Sequence, residues 1–239
     1  MQSFIKITFL LILFTYSNIS RAQFENYYKG YFRLPLDIPP LLSANFGELR
    51  TDHFHSGIDF KTQGTIGKNI YACADGYISR IKITSASYGK TLYITHPNGL
   101  ITVYAHLNNF NLQLENYTRE KQYEKQSYEI DIFPEPNEIP VLKSDIIGLS
   151  GNSGYSFGPH LHFEIRDARN NDPINPLLFD FNIADNVQPK IFSLIAYPQN
   201  NIGVIENSFQ KQRFLAIRNN GNYKLTDIDT LEAFGPIGF

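Results

Sequence analysis

His160-Leu161-His162-Phe163-Glu164-Ile165-Arg166 alternates without a break. Successive side chains of a strand point to opposite faces, so this stretch puts Leu161, Phe163 and Ile165 on one side. His160, His162, Glu164 and Arg166 take the other. Upstream, Lys90–Thr95 and Leu100–His106 flank His96-Pro97-Asn98-Gly99 and read as a hairpin. Asn-Gly supplies the positive φ that such a turn needs. Asn69–Ile83 reads as two short strands around Asp75-Gly76. Gly151-Asn152-Ser153-Gly154 and Gly158-Pro159 lead into the alternating strand, where glycine lets backbone pass close to a ligand or simply makes turns. The pattern from Phe46 to about Asp167 is all-β: an antiparallel β domain with one polar working face.

The composition is that of a globular protein, with 42% hydrophobic, 18% charged and 14% aromatic residues in 239. That excludes a disordered chain. A formal charge of −2 gives no electrostatic reason to expect nucleic acid or an anionic membrane as partner. The single cysteine, Cys73, excludes an internal disulfide framework and any cysteine-cluster metal site. It sits among small apolar residues and reads as a buried small hydrophobe. A metal, if bound, must therefore be held by histidine and carboxylate.

Residues 1–22 read as a secretory signal. Lys6 precedes the apolar run Ile7–Phe14, and Ser20-Arg21-Ala22 puts small residues at the cleavage positions. About 20 apolar residues are needed to span a bilayer, so the run is too short for a stable membrane insertion. No cysteine follows it to take a lipid. Cleavage after Ala22 would start the mature chain at Gln23. It removes two of the 21 basic residues and none of the 23 acids, giving a charge of −4. The expected location is the periplasm or the extracellular cell envelope.

Three regions follow the signal. A domain is expected over 41–183, and 184–239 reads as a linker and a partial β module with strand-like runs at Lys190–Tyr197 and Arg213–Ile217. Within the domain, 111–140 reads as an insertion walling a cleft. Its segment Glu115–Glu129 carries seven charges in fifteen residues. It suits a solvated helix with Glu115–Arg119 and Lys121–Lys125 at i,i+4, the first pair favourable and the second, of like charge, not.

All six histidines lie between positions 53 and 162. On one strand face, His160 and His162 stand about 6.5–7 Å apart. Both could ligate one ion, or one could ligate while the other addresses its bound water. His55-Ser56-Gly57-Ile58-Asp59 adds an imidazole and a carboxylate across a glycine turn. Zn²⁺ takes both donor types at about 2.0–2.2 Å, and two histidines with one aspartate leave a tetrahedral position open for water. His106 ends the hairpin strand.

HSGIDF at 55–60, ADGYI at 74–78, YAHL at 104–107 and SGNSGYSFGPHLHFEIR at 150–166 together resemble the M23 (lysostaphin-type, LytM-like) zinc metallopeptidases. The resemblance spans about Phe46 to Pro176. It implies a compact, barrel-sandwich-like antiparallel domain with an open groove. It implies Zn²⁺ held by His55, Asp59 and His162, with His106 and His160 as the metal-free catalytic pair. The substrate it implies is the peptide part of bacterial peptidoglycan, cut by an exported endopeptidase.

Two departures from the family pattern stand out. Some relatives carry an oxyanion-assisting tyrosine shortly before the first zinc histidine. Ser43–Phe54 has none, so that role is open, with Asn45 and His53 as candidates. Ser144-Asp145 stands where many relatives have a glycine-containing turn. His96 matches no catalytic position and reads as structural or solvent-exposed. The alternatives are an inactive M23 domain regulating another wall hydrolase, and a β domain that binds carbohydrate or peptide with incidental histidines. Inactive members typically lose a ligand, whereas all five positions are present here.

Overall fold

The computed structural model describes residues 29–238 apart from 52, 137, 184–187, 189, 200, 201, 227 and 229. The signal-like segment 1–22 and most of the linker lie outside the described residues. The chain divides into two compact units at position 184/185.

The first unit runs through β1 (Leu42–Ala44), β2 (Ile58–Lys61), β3 (Asn69–Tyr71), β4 (Gly76–Ile83), β5 (Lys90–Thr95) and β6 (Leu100–Leu107). It continues with β7 (Asn109–Phe110), α1 (Leu112–Lys125), β8 (Ile130–Ile132), β9 (Pro140–Val141), β10 (Ile146–Leu149), β11 (His160–Asp167) and β12 (Pro173–Ile174). The main antiparallel sheet is ordered β1-β2-β11-β6-β5-β4-β8, with β9 against β4 and β12 against β11. A smaller sheet, β3-β10-β7, supplies the second layer. Leu161, Phe163 and Ile165 are fully buried and pack with Ile58, Phe60 and Tyr104 of the flanking strands. Ile70, Phe110 and Ile147 of the smaller sheet join the same core. The β5–β6 hairpin closes through Gly99 at φ 79°, a conformation that glycine adopts without penalty.

The insertion differs from its sequence reading. α1 starts at Leu112, because the Asn111 side chain caps it by accepting the Leu114 N–H at 2.9 Å. Glu115 turns back to Lys90 (3.3 Å) and to the Phe110 N–H (2.8 Å) instead of pairing with Arg119. Lys121 pairs with Glu124 at i,i+3 (2.9 Å). Leu114 and Thr118 are buried, so the helix is docked on one side. β8 and β9 then hydrogen-bond to β4, which extends the far edge of the sheet. Tyr128 of the insertion lines a cavity of about 340 Å³ with Asn152 and Ser153.

His96 is buried, at 3% exposure, against Phe32 and Tyr31. Its Nδ1–H donates to the Asp75 carbonyl (2.9 Å), and Nε2 lies 2.8 Å from the Thr102 hydroxyl oxygen. Burial of the ring holds its pKa down at about 4. The unfolded chain therefore binds the extra proton first, and stability present above pH 6.5 drains away as pH falls towards 4. The expected loss is about 2–3 kcal/mol between pH 7.5 and 4.5. Denaturant titration at fixed metal content should show it, and His96→Asn should flatten that pH dependence. Cys73 is buried as well, and burial pushes its thiol up to about 12, so it acts as packing.

The second unit contains β13 (Ser193–Pro198), β14 (Val204–Ile205), β15 (Gln212–Asn219), β16 (Asn222–Leu225), β17 (Ala233–Phe234) and β18 (Ile237–Gly238). Its sheet runs β16-β15-β13-β18, around a small core of Ala196, Ile205 and Phe214. Among the described residues, no helix is long and apolar enough to cross a membrane.

Candidate metal centre and active site

β11 lies between β2 and β6, and the register places Asp59 and Ala105 on either side of His162. Directly paired residues share a face, so Asp59 and His162 meet there. His55 reaches them from the turn before β2. That approach depends on Gly57, where a Cβ would stand 2.3 Å from the Phe163 carbonyl oxygen. Any side chain there would push the His55 turn off β11. The His55 main chain is pinned on both sides, donating to Glu48 O and accepting from Gly47 N–H at 2.8 Å each.

Three ligand atoms converge. His55 Nε2 lies 3.0 Å from His162 Nδ1 and 3.2 Å from Asp59 Oδ1, and His162 Nδ1 lies 2.9 Å from Asp59 Oδ1. Tetrahedral ligands about 2.0–2.1 Å from one zinc ion stand about 3.3–3.4 Å from each other, so this buried triangle suits that ion after a slight opening. Its charge suits a cation too. The His162 and His55 hydrogen bonds outweigh burial and hold the Asp59 carboxyl well below the usual range. Burial likewise opposes charge on His162, but Asp59 and Glu164 overcome it and push the ring up to about 9.

His106 and His160 stand beside the triangle, their ring centroids 4.7 Å apart. His106 Nδ1–H donates to Ser153 O (2.8 Å), and His160 Nδ1–H donates to Gly158 O (2.8 Å) beside the Ser156 hydroxyl. Each ring is thereby left with Nε2 as its accepting nitrogen. His160 Nε2 lies 3.7 Å from Asp59 Oδ1. Burial holds the His106 pKa down at about 4, so that ring is neutral at neutral pH.

His106 reaches this face only through a bulge. Leu92 pairs with Tyr104 and Lys90 with Leu107, so Thr91 faces both Ala105 and His106. His106 takes φ 58°, and its N–H donates to Tyr88 O. One extra residue resets the alternation. Leu107 therefore enters the core while His106 joins the histidine face.

Of the two residues considered for the missing tyrosine's role, Asn45 meets the centre through its main chain. Asn45 uses its carbonyl, which accepts His55 Nδ1–H at 2.8 Å, and the His53 carbonyl accepts Arg50 N–H. Arg50 is the neighbouring cation, with Nη2 3.5 Å from Asp59 Oδ2. Tyr88 packs its ring 4.8 Å from that of His162. The sequence reading assigned no role to Arg50, Tyr88, Glu164 or Arg166. Alternation had placed the last two on the histidine face, whereas nothing in the local sequence marks Tyr88.

Residues 53–123, holding His55, Asp59 and His106, match the model of Peptidase family M23. The chain carries an M23 peptidase domain. The M23 domain is 33% identical over 155 residues to the DD-carboxypeptidase/endopeptidase Mpg of Neisseria meningitidis serogroup B, covering 62% of this chain and 29% of that protein. Over 166 residues it is 28% identical to the glycyl-glycine endopeptidase ALE-1 of Staphylococcus capitis, covering 68% and 36%. The catalytic domain of lysostaphin from Staphylococcus simulans aligns at 23% identity and TM-score 0.44, over 59% of this chain and 91% of that one. The chain thus spans about a third of the length of these curated relatives.

Proposed function

We propose that this chain is an exported zinc metalloendopeptidase that hydrolyses peptide cross-links of bacterial peptidoglycan. The convergence of His55 Nε2, Asp59 Oδ1 and His162 Nδ1 carries the reading. Zinc bound there would bring the pKa of water near 7 and polarise the scissile carbonyl. The remaining chemistry belongs to the chain. His160 and His106, each with Nδ1–H committed to a carbonyl, keep Nε2 for the reaction: one accepts the proton of the attacking water there, and the Nε2–H so formed is the donor that steadies the developing oxyanion. The proton is then returned to the leaving amine. Their Nδ1–H bonds to backbone carbonyls fix the tautomer this exchange requires. Export rests on the signal-like segment 1–22, and the substrate class on what Mpg and ALE-1 are named for.

Defined muropeptides carrying either D-alanyl cross-links or glycine bridges, digested and analysed by mass, test the reading. The expected result is cleavage of one of the two, abolished by a chelator and restored by zinc. If zinc-loaded protein cleaved neither yet still bound them, the regulatory, inactive M23 domain would be the better description.

A further inference from the structure

Four histidines of the first unit, His55, His96, His106 and His160, donate Nδ1–H to a backbone carbonyl and keep Nε2 for other work. His162 is turned the other way. Its Nδ1 faces Asp59 and His55, and its Nε2–H donates to Glu164 Oε1 at 2.9 Å. Glu164 is fully buried. Its second oxygen accepts from Arg166 Nε, and Oε1 also accepts the Tyr88 hydroxyl. The carboxylate is thus fixed by three donors from β11 itself and from the loop before β5.

We infer that Glu164, clamped by Tyr88 and Arg166, is the positioning residue that selects Nδ1 of His162 as the ligating nitrogen. A neutral imidazole keeps its proton where an acceptor holds it, and a carboxylate is the strongest acceptor a buried Nε2–H can meet. Ligating histidines commonly have such a partner, and its removal costs about 10–100-fold in metal affinity. Tyr88 extends the effect. Its hydroxyl holds Glu164, its ring packs on His162, and its carbonyl takes the His106 N–H. One loop residue thereby ties the ligand side of the centre to the proton-transfer side.

This inference rests on the zinc reading above, so its test reads metal and tautomer directly instead of turnover. Zinc affinity, measured by chelator competition, should fall about 10–100-fold in Glu164→Gln and about 10-fold or less in Tyr88→Phe. In the zinc-loaded wild type, ¹⁵N-resolved NMR should show His162 with a protonated Nε2 and a strongly downfield proton. That proton should move upfield in both variants. Thermal unfolding of the metal-free proteins identifies variants that lost affinity merely by failing to fold. A folded Glu164→Gln with wild-type affinity and an unmoved His162 proton would overturn the inference. A wild type that bound no zinc would instead overturn the reading beneath it.

Discussion

Purified protein is expected to hold one zinc per chain, and His55→Ala or Asp59→Ala to lose it. Apparent zinc-site free energies of about 10–16 kcal/mol, shared among four ligands, make each worth roughly 2.5–4 kcal/mol. Losing one should therefore weaken binding by at least about 10²-fold, with turnover falling at least as far. Asp59 also holds His162 and approaches Arg50, so its removal leaves a buried histidine with one carboxylate fewer. Asp59→Asn keeps the shape and removes only the charge, and it should lose metal while staying folded. Elemental analysis of dialysed protein and circular dichroism make the check. Unchanged metal content in both His55→Ala and Asp59→Ala would place the ligands elsewhere.

Replacing His106 or His160 should give the opposite pattern: zinc retained, turnover lost. Neither ring is needed to complete the three-ligand set, and both have Nδ1 committed to a carbonyl. Alanine at either position should lower turnover by about 10²–10⁴-fold, the usual worth of a positioned proton-transfer group. The wild-type pH profile should be bell-shaped, since one group must accept a proton and another donate one in the same cycle. At His106 the backbone adds a complication, because φ 58° costs a β-carbon residue about 1–2 kcal/mol. Asparagine tolerates that region better, so His106→Asn should fold at least as well as His106→Ala and be just as inactive. His96→Asn, in the core and away from the centre, should leave turnover near wild type at pH 7. Wild-type turnover in His106→Ala or His160→Ala would refute these roles. Loss of zinc from either would make that residue a ligand.

Much of this was legible in the sequence, because a strand advertises its faces. Alternation over 160–166 separated Leu161, Phe163 and Ile165 from the histidines, and the structure buries those three completely. Asn98-Gly99 announced the hairpin, and the motifs HSGID, YAHL and HLHFEIR together pointed to the M23 family. Helix ends were less legible. Asn111 was passed over as a cap because capping depends on where the preceding strand releases the chain. Glu115 was matched with Arg119, whereas it has a better partner, Lys90, on β5.

The sequence by itself determined an all-β domain, a histidine-and-carboxylate donor set without cysteine, and which face of 160–166 is apolar. These follow from local periodicity and composition, which need no knowledge of neighbours. The resemblance paired His106 with His160, but only the tertiary structure shows how His106 comes to share the face of His160 and His162. Uninterrupted alternation from Tyr104 would have sent His106 into the core and Leu107 outwards. A one-residue bulge against Thr91, with His106 in a left-handed conformation, reverses both. The same holds for the carboxylate behind His162. Glu164 could be placed on the right face from sequence, but its three donors come partly from a loop 76 residues away. Which nitrogen of a histidine is free depends on what the other one touches, and those contacts exist only in the folded chain.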